Sequence, residues 1–169
     1  MNNLKELSDD EIVKLIREGK VRNADLTDSG ICPTCFNREH DECLYGDNTS
    51  KILYEDDEIE CYFVGNPRAQ GHAIVAPLAH YKDLMDCPPE LYSKIMLKAK
   101  ILASIIKEVY KTESVYLCTM CDGPNNHFHV QLIPRYDFEE RGSENFTKPR
   151  QKYVEDLEKR DEIRRLLKK

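Results

Sequence analysis

The segment with the clearest chemical potential spans residues 126–131 and reads Asn-His-Phe-His-Val-Gln. Because side chains alternate between the two faces of a strand, His127, His129 and Gln131 would share one face. The intervening phenylalanine and valine would then face a core. Imidazole is neutral near pH 7, can attack phosphorus, and can leave again in a second displacement. The spacing therefore predicts a site for nucleotidyl transfer through histidine.

A second pattern is the C-x2-C knuckle formed by Cys32 and Cys35. Two thiolates at this spacing can bind one metal ion from a tight turn. A structural zinc ion needs two more ligands to complete a tetrahedron. His40 and Cys43 lie close in sequence and could complete a local site, but the spacing alone leaves the remaining ligands open.

The cysteines are expected to be reduced thiols. The chain has seven cysteines, and its first twenty residues do not form a secretory signal. We therefore expect a cytoplasmic protein whose thiols bind metal or pack in the core. Cys118 and Cys121 form a second C-x2-C, but on a strand they would face opposite ways, which favours core or pocket thiols. Cys61 and Cys87 are predicted to be buried thiols.

The overall composition describes an ordinary globular chain. Its 169 residues are 40% hydrophobic and 33% charged, which predicts one domain with modest extensions. The net charge of −6 provides no basic field for a polyanion, so a nucleic-acid ligand is not expected. No segment approaches the roughly 18 apolar residues of a membrane span, so no membrane association is expected.

Helical signals occur in three regions. Ser8 and Glu11 form an S-x-x-E capping box, which predicts a helix near the N-terminus. The proline pair at 88–89 can begin a helix, and apolar residues follow at steps of three and four over about six turns. The charged segment 148–169 ends in a basic turn, which is typical of a helix C-terminus. Residues 23–50 are rich in turn formers and are predicted to be a loop.

Five short apolar or alternating runs predict the strands of an antiparallel sheet. The order of these runs and of the helices predicts an α+β domain with one long helix. The predicted strands are Ile52–Tyr54, Ile59–Val64, Ala73–Pro77, Ser114–Met120 and His127–Pro134.

Two separate blocks of the chain resemble the histidine triad (HIT) superfamily. The superfamily signature, His-φ-His-φ-His-φ-φ, is matched by residues 127–133, with glutamine in place of the third histidine. Upstream, residues 52–80 contain in the superfamily's order an acidic pair, a proline, a Gly-His pair, an apolar strand, a second proline and a histidine. The resemblance covers roughly residues 30–136 and implies a HIT-like fold, with helical extensions at 1–29 and 137–169.

This resemblance implies catalytic roles for three residues. His129 matches the nucleophile, His72 matches a histidine beside the active site, and Gln131 replaces the third histidine. The same replacement is found in galactose-1-phosphate uridylyltransferases and diadenosine-polyphosphate phosphorylases, which are nucleotidyl transferases. A glutamine can bond a phosphoryl oxygen but cannot take up a proton, so acid–base work falls elsewhere.

Three further positions correspond to substrate contacts of the superfamily. Val64 stands where an acidic residue binds the ribose hydroxyls, and Cys121 stands where an amide contacts the phosphate. The Gly-Gln-Ser/Thr loop that precedes the triad in the superfamily is missing. We expect Asn126, immediately before the triad, to supply an amide contact in its place.

The resemblance also nominates a complete metal site. Zinc-bearing members use two cysteines, a histidine after the strand that ends at Pro77, and the first triad histidine. These ligands correspond to Cys32, Cys35, His80 and His127. Four protein ligands leave no open position, so this zinc would be structural.

Together these patterns predict a nucleotide-phosphate hydrolase or nucleotidyltransferase that forms a covalent nucleotidyl-histidine. Its expected substrates are nucleoside phosphates or dinucleoside polyphosphates. The alternative is a nucleotide-binding module of the same fold without significant turnover, because the contacts at Val64 and Cys121 are altered. Processing of nucleic-acid ends, known in the superfamily, is disfavoured by the acidic charge. The resemblance further implies a homodimer formed through the long helix and a sheet edge.

Overall fold

A computed structural model describes residues 4–40, 51–120, 123, 125–142, 149 and 156–169 of the chain. Its centre is a five-stranded antiparallel sheet in the order β1-β2-β3-β5-β4, which confirms the predicted α+β class. The strands are β1 Ile52–Glu55, β2 Ile59–Phe63, β3 Ala73–Pro77, β4 Ser114–Cys118 and β5 Val130–Arg135.

Five α-helices accompany the sheet among the described residues. The predicted helix after the proline pair is present and runs for 22 residues. The bounds are α1 Asp9–Arg17, α2 Asn23–Asp28, α3 Pro33–Glu39, α4 Pro89–Tyr110 and α5 Leu157–Leu167. In the part of the chain that the structure describes, no helix is both long and apolar enough to cross a membrane.

The main core lies between one face of the sheet and α4. On the helix, Ile95, Ala99 and Leu102 have no solvent exposure. On the sheet side, Phe128 and Leu132 belong to the same apolar cluster, so alternate residues of the histidine segment face the core as predicted. The opposite face of the sheet is thereby left for polar side chains.

The last strand begins at Val130, so the prediction that it begins at His127 is wrong. The ladder between β3 and β5 ends at the pair Val75 and Val130. Two residues farther along β3 lies Pro77, which has no N–H to donate to a ladder. The Phe128 N–H instead donates to the Tyr81 carbonyl at 2.7 Å. Residues 126–129 therefore form an extended segment before β5, which we call the lead-in to β5. It is held by hydrogen bonds that do not belong to the strand ladder.

The N-terminal helices form a second, smaller core. The capping box is confirmed, since the Ser8 hydroxyl accepts from the Glu11 N–H and the Ser8 N–H donates to the Glu11 carboxylate at 2.9 Å. The shared apolar cluster of these helices contains Leu4, Ile12, Ile16, Val21, Leu26 and Phe36.

The predicted loop at residues 23–50 is wrong over its first part, because α2 and α3 lie there. The Asp25 carboxylate accepts from the Arg22 N–H at 2.8 Å and closes the first turn of α2. Pro33 occupies the first turn of α3, where the missing N–H costs nothing. Residue types that indicate turns thus serve here as helix caps. The remainder of the predicted loop, 41–50, lies outside the described residues.

The C-terminal helix α5 packs on the main core. Ile163 is fully buried and Leu167 nearly so, and both belong to the cluster formed with α4. The Arg164 guanidinium donates to the Ile52 carbonyl at 2.7 Å, which ties α5 to the edge strand β1. Residues 148 and 150–155 of the predicted C-terminal helical segment lie outside the described residues.

We expect Ile163→Ala to lower the free energy of unfolding by about 2–5 kcal/mol, because it removes fully buried methylene and methyl groups from the main core. Urea titration followed by circular dichroism measures this loss. The matched control is Leu157→Ala on the same helix, where the side chain is 55% exposed and the expected change is within about 0.5 kcal/mol. Equal effects of the two substitutions would contradict the packing of α5.

Candidate functional site

A cleft of about 510 Å³ lies between the sheet and the N-terminal helices. Its sheet side includes Glu60 and Tyr62 of β2, which alternate with the core-facing residues of that strand. Its other side includes Asn37 and Arg38 of α3, and His129 also lines it. A volume of this size suits a small molecule such as a nucleotide.

The hydrogen bonds of His129 fix which of its nitrogens can react. Its Nδ1 lies 2.7 Å from the carbonyl oxygen of His127, which can only accept, so Nδ1 carries the proton. The other nitrogen, Nε2, therefore holds the lone pair. The ring is half-buried and reaches the cleft. This tautomer is the one that a nucleophilic histidine requires.

Gln131 lies beside the reactive nitrogen. Its Nε2 is 3.3 Å from Nε2 of His129, and the side chain is 2% exposed. Among the described residues, its Oε1 is buried with no hydrogen-bond partner. An unmet buried acceptor costs about 1–3 kcal/mol. A ligand that donates a hydrogen bond at this point would recover that energy.

His72 is buried just behind the cleft. It follows Gly71, whose φ of +79° is poorly accessible to other residues, and a Cβ there would lie 3.0 Å from the Tyr110 ring. The His72 Nδ1 accepts from the Arg68 N–H at 3.1 Å, so its Nε2 carries the proton. His72 lines a neighbouring cavity of about 80 Å³ that shares Val64 with the main cleft.

Two of the three predicted substrate contacts line the cleft. Val64 is half-buried there, and Asn126 stands at its edge with its amide NH₂ donating to the Lys82 carbonyl at 2.7 Å. Cys121 lies outside the described residues. Asn125 also lines the cleft, although no sequence pattern indicated it, and its NH₂ donates to the Thr27 carbonyl at 2.9 Å.

Sequence reasoning also missed the contribution of the N-terminal helices to the cleft. Asn37 is 6% exposed and lines it, next to the ion pair between Arg38 and Glu60. No sequence signal marks Asn37, because its burial arises only when α3 packs against the sheet.

The four predicted metal ligands lie together. The Nδ1 of His127 is 3.7 Å from Sγ of Cys32 and 3.4 Å from Sγ of Cys35, and Nδ1 of His80 is 3.5 Å from Sγ of Cys35. All four ligand atoms lie within 4.8 Å of one another. In a tetrahedron with Zn–S and Zn–N lengths of about 2.3 and 2.1 Å, a sulfur and a nitrogen are about 3.6 Å apart. The observed spacings fit that geometry.

The protonation of these ligands also suits a cation. The Nε2 of His127 lies 2.9 Å from the Pro77 carbonyl and donates to it, which leaves the Nδ1 lone pair facing the sulfurs. Burial lowers the pKa of His127 to about 4, so its imidazole is neutral near pH 7. Burial and then the neighbouring Cys32 raise the pKa of the Cys35 thiol to about 12. A bound divalent cation would favour the thiolate, because it supplies the missing positive charge.

The alternative local site is not supported at His40. Its Nε2 lies 3.4 Å from the Asp9 carboxylate, and its ring contacts the Phe36 ring at a centroid distance of 4.3 Å. His40 is not part of the cluster of four ligands. Cys43, the other local candidate, lies outside the described residues.

Comparison with known proteins places this arrangement in a family. The profile of the HIT domain matches residues 45–138, more than half of the chain. This chain belongs to the HIT family. The HIT protein is also 26% identical over 122 residues to adenylylsulfatase HINT3 of Arabidopsis thaliana, a match that covers 70% of the chain and 58% of that enzyme.

Solved structures share the fold at lower identity. A Zn-bound histidine triad family protein from Mycobacterium smegmatis superposes with a TM-score of 0.56 at 19% identity, covering 69% of the HIT protein and 83% of that chain. The diadenosine triphosphate hydrolase of Plasmodium falciparum gives 0.51 at 17% identity, covering 70% and 74%. These likenesses confirm the predicted HIT-like fold.

We expect the HIT protein to bind one divalent metal ion per chain through the four clustered ligands. His80→Ala should lower the metal content and abolish the d–d absorption of a cobalt-substituted sample, because it removes one corner of the tetrahedron. Elemental analysis and visible absorption measure both effects. The matched control is His40→Ala, which should retain metal and spectrum, since His40 pairs with Asp9. Loss of metal in the control but not in His80→Ala would support the local site instead.

Proposed function

We propose that this HIT protein is a nucleotidyl hydrolase or transferase that works through a covalent nucleotidyl-His129. The observation that carries the proposal is the fixed tautomer of His129, whose Nε2 lone pair stands at a cleft large enough for a nucleotide. Belonging to the HIT family supports nucleotide hydrolysis as the general activity. The covalent route and the residue roles are our proposal.

In the first step, Nε2 of His129 attacks the α-phosphorus of a nucleoside phosphate anhydride. A P–N bond forms, the P–O bond to the leaving group breaks, and the leaving group departs with its electron pair and takes up a proton from solvent. The imidazole becomes positively charged in the phosphoramidate. Its Nδ1–H then donates more strongly to the His127 carbonyl, which stabilises that charge.

In the second step, water or another acceptor attacks the same phosphorus and the P–N bond breaks. The nucleotide leaves on the new oxygen, the acceptor loses a proton to solvent, and His129 returns to its neutral tautomer. Gln131 contributes hydrogen bonds to the phosphoryl oxygens or the leaving group and moves no proton. His72, with a protonated Nε2 close behind the cleft, positions the loop that follows β2.

The substrate class is an adenylyl or related nucleotidyl anhydride. One relative is named as an adenylylsulfatase and one structural neighbour as a diadenosine triphosphate hydrolase, and both names describe bonds to an activated nucleotide. A cleft of about 510 Å³ that His129 lines is of a size that suits a mononucleotide portion. Val64 stands where the superfamily has an acidic residue that binds the ribose. We therefore assign polar contacts with the nucleotide to Asn125 and Asn126, which also line the cleft.

The metal that the ligands would hold is zinc, and its role is structural. Two sulfurs and two imidazoles form a set that zinc prefers, and all four positions are protein ligands. A structural neighbour is named as zinc-bound. When bound, zinc supplies a rigid tetrahedral junction that contributes on the order of 10 kcal/mol to folding. His127 is thereby fixed in place, and it presents its carbonyl to His129.

A nucleotide-binding module without turnover is the second candidate function. The observation that favours it is Val64 in the cleft at a position where the superfamily has an acidic residue. In that case the same cleft would bind nucleotides, and no nucleotidyl-histidine would form. The trapping experiment below separates the two.

We expect adenylyl sulfate or diadenosine triphosphate, each labelled in its adenylyl group, to label the protein when the reaction is quenched in alkali. His129→Ala should trap no label and should lower turnover by about a thousandfold or more, because the attacking nitrogen is removed. Autoradiography and product chromatography provide the two measurements. The matched control His40→Ala should label as the wild type does. Equal labelling of wild type and His129→Ala would refute the nucleophile, and tight binding without label would favour the module.

We also propose that the HIT protein forms a homodimer through α4 and the edge strand β4. Leu97 and Ile101 on α4 are 60% and 42% exposed, and Leu117 on β4 is 41% exposed. Exposed leucine and isoleucine on neighbouring elements favour association over solvent contact. A second copy that covers this face would also cover the edge of the sheet.

We expect Leu97→Glu to convert the dimer to a monomer, because a carboxylate in an apolar interface cannot be solvated. Sedimentation equilibrium reports the mass directly. Lys14→Gln, which changes the net charge by the same amount at an exposed position on another helix, α1, is the control and should remain dimeric. A wild type that is monomeric at high protein concentration would disprove the interface.

A further inference from the structure

The N-terminal helices and the sheet domain are two separately packed bodies. The apolar cluster of α1–α3 and the cluster around α4 share no residue. Contacts between the two bodies are therefore not made by a common core. We call the helices α2 and α3 and the turn between them, residues 23–39, the helical wall.

Polar contacts join the helical wall to the sheet domain. The Arg38 guanidinium pairs with the Glu60 carboxylate and donates to the Leu78 carbonyl at 2.6 Å. The Thr27 carbonyl accepts from the Asn125 side chain. A neutral hydrogen bond such as that of Asn125 contributes about 1 kcal/mol net, and the largely buried Arg38–Glu60 pair must offset the cost of desolvating both charges. These contacts therefore hold the wall less firmly than a structural metal ion would.

The metal cluster is the strongest junction between the two bodies. Cys32 and Cys35 belong to the helical wall, whereas His80 and His127 belong to the sheet domain. A metal ion with two ligands on each side closes the seam between them. Loss of the ion would remove this junction and leave contacts such as those of Arg38 and Thr27 across the seam.

The helical wall is one side of the nucleotide cleft. Its contributions to the lining are Asn23, Thr27, Pro33, Thr34, Asn37 and Arg38. The opposite side is formed by the sheet and by the lead-in to β5, which carries His129. A nucleotide in this cleft would contact both bodies, as a metal ion bound by the four ligands would.

We propose that metal and nucleotide bind cooperatively, because each bridges the helical wall and the sheet domain across the same seam. The inference rests on the proposed nucleotide site and adds to it a coupling that neither site has alone. A bound metal holds the wall in place and completes the cleft, so the nucleotide need not order it. By thermodynamic reciprocity, a bound nucleotide must hold the metal more tightly by the same factor.

The expected size of this coupling is about tenfold or more in each dissociation constant, within the range typical of coupled sites. The first measurement is the affinity of AMP for the zinc-loaded chain and for the chelator-treated chain, by calorimetry. The second is the transfer of zinc from the loaded chain to a fluorescent chelator, with and without saturating AMP. We expect AMP to bind more weakly without zinc, and zinc transfer to decrease when AMP is present.

A variant of the wall tests the geometry without touching a metal ligand. Asn23→Asp places a negative charge on the wall at the cleft, on α2 and away from the Cys32–Cys35 knuckle, so it should repel the AMP phosphate and abolish the protection of zinc by AMP. Its zinc transfer without AMP should equal that of the wild type. The control is Lys14→Gln, which changes the net charge by the same amount at an exposed position on α1 and should behave as the wild type.

The outcomes separate this inference from the proposed function. A zinc-loaded chain that binds AMP, but whose zinc transfer is the same with and without AMP, would overturn the coupling and leave the nucleotide site intact. A zinc-loaded chain that binds no AMP would contradict the proposed function and the coupling with it. Because the transfer assay begins from the loaded chain, it distinguishes these outcomes even where the metal-free chain unfolds.

Discussion

The hydrogen bond from His127 Nε2 to the Pro77 carbonyl is the interaction on which the site depends. It fixes the imidazole so that Nδ1 faces the sulfurs of Cys32 and Cys35. The backbone of the same residue presents the carbonyl that accepts from Nδ1 of His129. One residue therefore sets the geometry of the metal cluster and the tautomer of the proposed nucleophile.

His127 can fill both roles because the strand ladder ends before it. If the histidine segment were fully paired within the sheet, its backbone carbonyls and N–H groups would be hydrogen-bonded to neighbouring strands. Because pairing between β3 and β5 stops at Val130, the Phe128 N–H reaches Tyr81 and the His127 carbonyl reaches His129. Phe128 still enters the core, so the segment is anchored on one face and chemically available on the other.

The helices before the sheet form one side of the cleft. The HIT profile begins at residue 45, whereas Asn37 and Arg38 lie before it and line the cleft. Cys32 at the start of α3 and Cys35 within it lie beside His80 and His127. A metal ion bound by these four residues would join the helices to His127, whose carbonyl accepts from the proposed nucleophile.

The sequence by itself determined the strands, the long helix, the face shared by Phe128 and Leu132, and the capping box at Ser8, because these follow from local periodicity and cap chemistry. The resemblance of the sequence to the histidine triad superfamily identified the four candidate metal ligands. The tertiary structure alone decided that β5 starts at Val130 and that Asn37 lines the cleft. The helices α2 and α3 begin at local caps, Arg22 with Asp25 and Pro33, but the same residue types are also typical of turns. The start of β5 depends on the backbone N–H groups that the neighbouring strand can donate. The burial of Asn37 depends on packing between segments that are far apart in sequence. No local sequence pattern determines either one.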